Sequence, residues 1–240
     1  MSINGGWPSG VDLIKLAQTD STNSEAARRA ASFFRPTWIV ADHQTAGKGR
    51  SGRRWAGPSG NLMATLVYRP NTTAQDAALR TFVAANALFA ALGEFVGKDR
   101  LSLKWPNDVL LDGGKVAGIL LESRSKSTVI DWLAVGFGVN LADCPPPDPD
   151  AAFAPISLSP PVERDIFLER LACHFQAEEN SFLGEGFAPV RQRWLDHAAR
   201  LGQIITARTP RATHVGIFRT VDDHGCLQIE TDNGLKSVSI

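Results

Sequence analysis

Positive charge and glycine are concentrated in one stretch of the chain. Between His43 and Gln75 there is no Asp or Glu, although Lys+Arg and Asp+Glu each count 25 over the 240 residues. Glycine lets a backbone approach a ligand closely, and guanidinium groups grip phosphate or carboxylate at two points. The interleaving of glycines with cations therefore favours an anion site over a solvated basic loop. The cations are Lys48, Arg50, Arg53, Arg54 and Arg69.

The same stretch contains the spacing of a dinucleotide-binding loop, Gly47-Lys48-Gly49-Arg50-Ser51-Gly52. Such a loop needs a helix that opens at its third glycine, because the helix N-terminus holds the pyrophosphate. Gly57, Pro58 and Gly60 follow instead and forbid that helix. We therefore exclude a Rossmann site and expect a long aperiodic loop over 44–61, which becomes ordered when an anion arrives.

A second candidate is Lys104-Trp105-Pro106-Asn107-Asp108, where a short strand ends. A lysine held stiffly beside Trp and Pro can place a fixed positive charge on a developing oxyanion or phosphate. The alternative is an edge-strand lysine that deters strand pairing, which for a single lysine is the commoner case. Asn107 and Asp108 either form a turn or orient a ligand or a magnesium ion.

Glycines also interrupt two β-rich runs. Gly118 lies within the run from Lys115 to Glu122, and Gly136 and Gly138 lie within the segment 136–140. A glycine inside a strand often marks the close approach of a ligand or of another backbone, and a structural bulge is an equal alternative. Ser21-Thr22-Asn23 precedes a helical segment. It either caps that helix or binds a small polar group at the positive helix end.

Alternating strands and helices must position these segments. Thr22 and Glu25 have the spacing of a capping box, which predicts a helix from Thr22 that stops before Pro36. Prolines over 144–149 predict an extended connector, and the β-rich residues after Gly202 are too few to bury a core unaided. Periodicity predicts strands at 38–41, 62–68, 101–105, 109–111, 116–121 and 128–141, helices at 74–96, 161–182 and 187–200, and short strands beyond 202.

Composition and charge exclude several classes of protein. The hydrophobic fraction of 43% and the charged fraction of 21% exclude wholesale disorder. Zero net charge gives no case for a nucleic-acid or membrane surface, and no apolar run reaches the roughly 18 residues of a membrane span. We expect no secretory signal, because residues 1–18 lack a basic region followed by an apolar stretch. The three cysteines are far apart, as expected of isolated thiols in a reducing compartment. We expect a cytoplasmic globular protein.

Taken in order, five blocks of the chain resemble a bacterial biotin protein ligase. The resemblance runs from about Leu16 to Asn140 and continues more faintly from Leu201 to the end. Each block alone is modest evidence, whereas five in the family's order and spacing are strong. The blocks are Ser21-Thr22-Asn23; Gln44 with 47–53 and Trp55; Lys104-Trp105-Pro106-Asn107-Asp108; Lys115-Val116-Ala117-Gly118-Ile119-Leu120; and Gly136-Phe137-Gly138-Val139-Asn140.

The resemblance implies an α/β catalytic domain over 1–200, with a mixed sheet flanked by helices as in class II synthetases, and a small SH3-like β-barrel over 201–240. It implies that biotin and MgATP give biotinyl-5′-AMP and pyrophosphate. The biotin then passes to a lysine of a biotin carboxyl carrier protein, by default that of acetyl-CoA carboxylase. Only about twenty residues precede Ser21, too few for the DNA-binding domain of some relatives. We expect no nucleic-acid partner, no membrane partner, and a monomer or homodimer.

The family's site residues carry over by position. Lys104 and Arg50 would be catalytic, Lys104 meeting the biotin carboxylate and then the acyl-phosphate oxygens. Many relatives have Arg at Lys48, so two-point contact is lost there. No metal ligand is assigned, since Mg²⁺ would arrive on the ATP phosphates, with Asp108 as the candidate protein ligand. The biotin set is Ser21, Thr22, Asn23, Gln44, Gly47, Lys48, Gly49, Arg50, Lys104, Gly118 and Gly136; the ATP and adenylate set is Arg50, Arg53, Trp55, Asn107, Lys115 and Asn140.

Two other functions compete with this one. A lipoate or octanoate ligase of related architecture would need an apolar tunnel for a linear chain. A non-catalytic biotin-binding module would keep its biological activity when Lys104 is replaced by alanine.

Overall fold

A computed structural model describes residues 6–126, 128–147, 152–209 and 212–239. Its main sheet consists of β1 (Asp12–Thr19), β2 (Thr37–Gln44), β3 (Leu62–Tyr68), β4 (Leu101–Lys104), β5 (Asp108–Leu111), β6 (Gly114–Lys126) and β7 (Val129–Val139). The strands are ordered β1-β2-β3-β7-β6-β5-β4. The β1–β2 pair is parallel and the other neighbouring pairs are antiparallel. The predicted mixed sheet is confirmed.

Helices cover both faces of this sheet, unequally. The main core lies between the sheet and α3, α4 and α5, and a smaller cluster around Ile39 and Trp132 packs under α1. Among the described residues, no helix combines the length and apolar composition needed to cross a bilayer. The helices are α1 (Thr22–Arg29), α2 (Ala74–Ala78), α3 (Arg80–Leu92), α4 (Arg164–Glu185) and α5 (Phe187–Leu195).

The central helix differs from its prediction as one element over 74–96. Thr73 caps α2 by accepting from Asp76 N. Leu79 keeps helical dihedral angles, but its N–H donates to Asp76 O three residues back, and this interruption separates α2 from α3. Alanine and other small residues let α3 be enclosed between the sheet and α4, so that all of its residues except Ala90 are buried. A helix buried on every side shows a weaker periodicity than a surface helix, which blurs its ends in the sequence.

The predicted capping box at Thr22 is wrong. Ser21 is the N-cap of α1 and makes no side-chain cap bond, while Glu25 pairs with Arg28 and Arg29 on the helix surface. The Thr22 hydroxyl is directed instead to Gln44 and Thr65, on two strands of the sheet. A long-range partner has therefore replaced the local one, and this frees the start of α1 for another use.

Strand β1 was not predicted. It is an edge strand with five of its eight residues exposed and none buried, so the alternation that marks a half-buried strand is weak. β1 also carries the parallel ladder past β2 into the loop, since Thr45 N donates to Thr19 O and Ala46 N to Asp20 O.

The C-terminal residues form a second, antiparallel sheet in the order β11-β10-β9-β8. Its apolar residues, such as Phe218 and Ile229, belong to the same core as α3 and α5, as the shortness of the module requires. Pairing among the described residues runs from β8 to β11 without closing the two edge strands on each other. The strands are β8 (Ile204–Arg208), β9 (Thr213–Val221), β10 (Leu227–Thr231) and β11 (Gly234–Val238).

Candidate active site

A cavity of about 310 Å³ lies where α1, the glycine-rich loop and strands β5 to β7 meet. Five cations and one carboxylate contribute to its lining, so its electrostatic character is cationic. The charged residues are Lys48, Arg50, Arg53, Arg54, Lys115 and Asp108. In a protein with zero net charge, this concentration of cations at one concave surface indicates an anion-binding site.

The glycine-rich loop is a small hairpin rather than an aperiodic segment. Gly49 N donates to Arg53 O at 2.7 Å and Trp55 N to Gly47 O at 2.9 Å, with a turn over 50–52 between them. Ser51 and Gly52 have φ of 56° and 74° in that turn, which only glycine adopts without cost. We call residues 47–55 the flap.

Trp55 at the end of the flap lies on two strand glycines. A β-carbon at Gly138 would overlap the Trp55 indole, and one at Gly118 would lie 3.1 Å from Trp55 Cζ3. The Lys115 ammonium lies 5.5 Å from the centre of the Trp55 ring, within reach of a cation–π contact. The Trp55 Nε1 donor is buried without a hydrogen-bond partner among the described residues. The two glycines thus admit an aromatic side chain of the protein itself.

Asp108 at the start of β5 holds two lysines. Its carboxylate lies 3.1 Å from Lys104 Nζ and 2.6 Å from Lys115 Nζ. Burial alone would raise the pKa of Asp108, but the two ammonium groups outweigh it and hold that pKa below its ordinary value. The two lysines differ in position, since Lys115 lines the cavity and Lys104 does not. Lys104 instead lies 5.1 Å from the ring centre of Phe153.

This pairing does not fit Asp108 as a magnesium ligand. Its two oxygens lie 3.1 and 2.6 Å from two ammonium nitrogens, whose positive charges offset that of the carboxylate and would repel Mg²⁺. In the described parts of the chain, no group of three His, Cys, Asp or Glu side chains could hold a metal ion.

Arg50 connects the flap to the turn after β4. Its Nη1 donates to Asn107 Oδ1 at 3.3 Å, and Asn107 Nδ2 donates to Ile119 O at 2.6 Å. Burial lowers the pKa of the Arg50 guanidinium, and the charge of Asp108 only partly offsets this. A half-buried guanidinium near neighbouring cations is well placed to gain from an arriving anion.

The segment 152–158, which we call the strap, runs beside β6 and adds a wall that the sequence reasoning missed. Lys115 N donates to Ala154 O at 2.8 Å, and Ile156 N returns a bond to Lys115 O at 3.1 Å. The strap carries Phe153 and Pro155 into the cavity lining. The predicted proline connector lies partly outside the described residues, and no periodicity near Phe153 distinguishes a cavity wall from a linker.

Comparison with known proteins identifies the family. A family model described as "Biotin/lipoate A/B protein ligase family" matches residues 15–140, more than half of the chain, and one described as "Biotin protein ligase C terminal domain" matches residues 201–240. The chain belongs to the biotin/lipoate A/B protein ligase family. The biotin–[acetyl-CoA-carboxylase] ligase of Paracoccus denitrificans is 47% identical over 88% of this chain and 91% of its own length.

Other members of the family agree with this. The bifunctional ligase/repressor BirA of Bacillus subtilis is 31% identical over 93% of this chain and 70% of its own length. The biotin protein ligase of Aquifex aeolicus, solved in complex with biotin and ATP, superimposes with a TM-score of 0.80 at 26% identity and covers 95% of both chains.

In this member of the biotin/lipoate ligase family, one cavity gathers almost all the residues predicted for the site. Gly47 and Lys104 are the two that do not line it. Gly47 is buried in the flap hairpin, where a β-carbon would collide with Trp55 O. The lining residues that the predicted site set omits are Arg54, Ala56, Ile119, Leu120, Phe137, Gly138, Pro145, Pro146, Phe153 and Pro155.

Proposed function

We propose that the chain is a biotin protein ligase, which joins biotin to AMP and then transfers it to a lysine of a carrier protein. The observation that carries the proposal is the coincidence of the family's motifs with one cationic cavity. Biotin and ATP are both anions, and their reaction needs fixed positive charge between them.

In the first step a biotin carboxylate oxygen attacks the α-phosphorus of ATP, supplied as its magnesium complex. A new O–P bond forms, the bond from that phosphorus to the bridging oxygen breaks, and pyrophosphate leaves. Little covalent chemistry is required of the protein, so positioning and charge stabilisation carry the rate. The flap cations and Lys115 supply that charge at the cavity lining.

We assign contact with the biotin carboxylate to Lys115 rather than to Lys104. The ammonium of Lys115 borders the cavity, lies near Trp55 and is held by Asp108 at 2.6 Å. Lys104 shares that carboxylate, and its ammonium packs on Phe153 instead of lining the cavity, so we give it a supporting role through Asp108. An incoming carboxylate or phosphate would then meet an ammonium that is already oriented.

The intermediate is a mixed anhydride that water would hydrolyse, so it must be covered until the carrier arrives. The flap and the strap both contribute to the cavity lining and can exclude water from it. In the second step the amine of the carrier lysine attacks the acyl carbon. The C–O bond to AMP breaks, AMP leaves, and the nitrogen loses a proton. Proximity and a good leaving group suffice without a dedicated base.

The finer assignments belong to the same proposal. The carrier is the biotin carboxyl carrier protein of acetyl-CoA carboxylase, which the name of the Paracoccus denitrificans relative supports. The enzyme works in the cytoplasm as a monomer or homodimer and has no nucleic-acid partner. Residues 1–200 form the catalytic domain and residues 201–240 the C-terminal module.

Lipoate is the second candidate substrate, because the family model includes lipoate ligases. Buried polar side chains at one part of the cavity, Ser21, Thr22 and Asn23, argue for a polar ring over a linear alkyl chain. The test incubates the purified chain with MgATP and either biotin, lipoate or octanoate and follows pyrophosphate release. A biotin carrier domain then goes to mass spectrometry for one added biotinyl group on one lysine. Pyrophosphate release with lipoate or octanoate but not biotin would overturn the assignment.

A further inference from the structure

A chain of hydrogen-bonding side chains runs from the cavity across the sheet. Thr65 on β3 is completely buried, and its Oγ1 lies 2.8 Å from Thr22 Oγ1 and 2.6 Å from Asn23 Oδ1. Asn23 Nδ2 lies 2.8 Å from Glu122 Oε2 and 3.3 Å from Leu120 O. Thr65 and Glu122 do not line the cavity, whereas Thr22 and Asn23 do.

The two acceptors at the far end of this hydrogen-bond network, Leu120 and Glu122, determine which partner donates in each of its bonds. The Leu120 carbonyl and the Glu122 carboxylate can only accept, so the NH₂ group of Asn23 faces them and donates to both. The Asn23 Oδ1 atom therefore faces Thr65, and a carbonyl oxygen cannot donate. Thr65 must therefore donate its single hydroxyl proton to Asn23 Oδ1.

Thr22 is the next member of the chain. Since the Thr65 proton is already used, the 2.8 Å contact between the hydroxyls requires Thr22 to donate to Thr65. The Thr22 Oγ1 atom also lies 3.1 Å from Gln44 Oε1, but that oxygen already accepts from Thr22 N at 2.7 Å, and a Thr22 proton donated to either protein oxygen is equally unavailable to a ligand. Thr22 then has only oxygen lone pairs to offer a ligand, so it acts as a hydrogen-bond acceptor at the cavity.

Gln44 presents hydrogen-bond donors to the cavity, whereas Thr22 presents an acceptor. Because its Oε1 faces Thr22, its NH₂ group has two donors, and these have no acceptor among the described residues. An acceptor on Thr22 beside a donor on Gln44 complements a ligand that carries N–H next to C=O. The ureido ring of biotin has this pattern, and a linear acyl chain does not.

Gly136 lies against the Asn23 amide and leaves the space that the amide needs in this orientation. A β-carbon at Gly136 would overlap Asn23 Oδ1, so the glycine provides room for the amide rather than for the ligand directly. With Thr65, Leu120 and Glu122, it leaves the amide no second orientation without an unpaired buried polar atom.

We propose that Thr65 and Glu122 are positioning residues that fix the hydrogen-bond polarity of the ureido end of the site through Asn23 and Thr22. This inference rests on the proposed function, because it takes biotin as the ligand. It predicts that recognition of biotin fails when the internal chain is broken, although every residue of the lining is still present.

The test replaces the two internal residues and uses a matched control for each. Thr65→Val keeps the shape of the side chain and removes the hydroxyl, whereas Thr65→Ser keeps the hydroxyl. Glu122→Met removes the acceptor from a half-exposed side chain, whereas Glu122→Gln retains an acceptor oxygen. Titration calorimetry gives the Kd for biotin, steady-state pyrophosphate release gives KM and kcat, and the melting temperature reports folding.

We expect Thr65→Val and Glu122→Met to raise the Kd and KM for biotin about tenfold, the usual effect of losing one buried hydrogen bond. The KM for ATP and kcat at saturating biotin should change less than about twofold, since neither residue contacts a cavity cation. Thr65→Ser and Glu122→Gln should stay within about threefold of the parent in biotin affinity.

Three results would overturn the inference: wild-type biotin affinity in Thr65→Val or Glu122→Met, equal losses for biotin and ATP, or no recovery in the conservative variants. If Thr65→Val fails to fold, the Glu122 pair decides the matter, because that side chain is half exposed and its loss leaves the core intact. An unmodified chain that binds no biotin would overturn both the inference and the proposed function. If the parent binds biotin and the variants bind it equally well, only the inference is overturned.

Discussion

The ammonium of Lys115 lies 2.6 Å from the carboxylate of Asp108 and borders the cavity. The Asp108 carboxylate therefore holds the positive charge of Lys115 in a fixed position. A lysine side chain has four rotatable bonds, and the ion pair removes much of that freedom before a substrate arrives. Lys104 pairs with the same carboxylate but packs on Phe153 instead of lining the cavity, so substituting each lysine separates contact with a substrate from support of Asp108.

Replacing the two lysines should have unequal effects. Lys115→Met removes charge from the cavity and should reduce kcat/KM for biotin-dependent pyrophosphate release about 100-fold or more, as loss of a transition-state donor does. Lys104→Met should cost less than about tenfold, because it removes only a neighbour of Asp108. A larger loss in Lys104→Met than in Lys115→Met would contradict the assignment of the carboxylate contact.

Asp108→Asn should destabilise the protein in a pH-dependent way. The folded-state pKa of Asp108 is depressed, so its stabilising contribution is present above the unfolded value of 3.8 and is lost as the pH falls through the folded value. At pH 7 the variant leaves two ammonium groups uncompensated and should lose roughly 2–4 kcal/mol of unfolding free energy. Urea unfolding at pH 7 and near pH 3 measures the difference, which should shrink in acid. A constant difference would mean that Asp108 stabilises the fold by packing and not by charge.

Gly138→Ala should displace Trp55 from its place on β7. The new methyl group would overlap the indole, so we expect altered tryptophan fluorescence and a rise of at least about fivefold in the KM for biotin or ATP. Gly184→Ala is the matched control. Its β-carbon would meet nothing within 4 Å, and its position in α4 predicts a gain of about 0.5–1 kcal/mol in stability. Unchanged fluorescence and KM in Gly138→Ala would show that Trp55 does not depend on that glycine.

Arg80 and Glu179 form a buried ion pair away from the cavity. Arg80 donates through Nε and Nη2 to Glu179 Oε1 at 3.2 and 3.1 Å, and its guanidinium lies 4.4 Å from the ring centre of Phe182. Arg80→Met should cost about 3–5 kcal/mol in denaturant unfolding because it leaves a buried carboxylate unpaired.

The double variant Arg80→Met, Glu179→Leu tests that reason. It should recover much of the lost stability, since no charge is left uncompensated in the core. Pyrophosphate release at temperatures where the variants are folded should match the parent. If the double variant were no more stable than Arg80→Met, burial of an unpaired charge would not be the cause of the loss.

The sequence predicted the elements that follow a clear period and missed those set by long-range contacts. The strands at 62–68 and the hairpin around Gly113 follow from alternation and turn residues, and both are confirmed. β1 was missed because its exposed edge weakens the alternation. The Thr22 hydroxyl could not be placed from spacing, because Gln44 competes for it from 22 residues away.

The same limit applies within the site. Lys104 and Lys115 are both lysines beside strand segments, and the sequence favours the one held next to Trp and Pro. Which of them borders the cavity depends on how β5 pairs with β6, and that pairing shifts register between Val109 and Leu110. No local pattern in the sequence reveals a shift of this kind.

The turn between β9 and β10 is hydrogen-bonded to residues 105–107, the turn between β4 and β5. Trp105 Nε1 donates to Gly225 O at 3.1 Å, and a β-carbon at Gly225 would lie 2.9 Å from Phe82 and 3.1 Å from Leu79. Residues 197–199 also bond to Leu103 on the outer side of β4. The C-terminal module therefore supports the turn at 105–107, and we expect a shortened enzyme that ends near residue 200 to lose rigidity around Lys104 and Asp108.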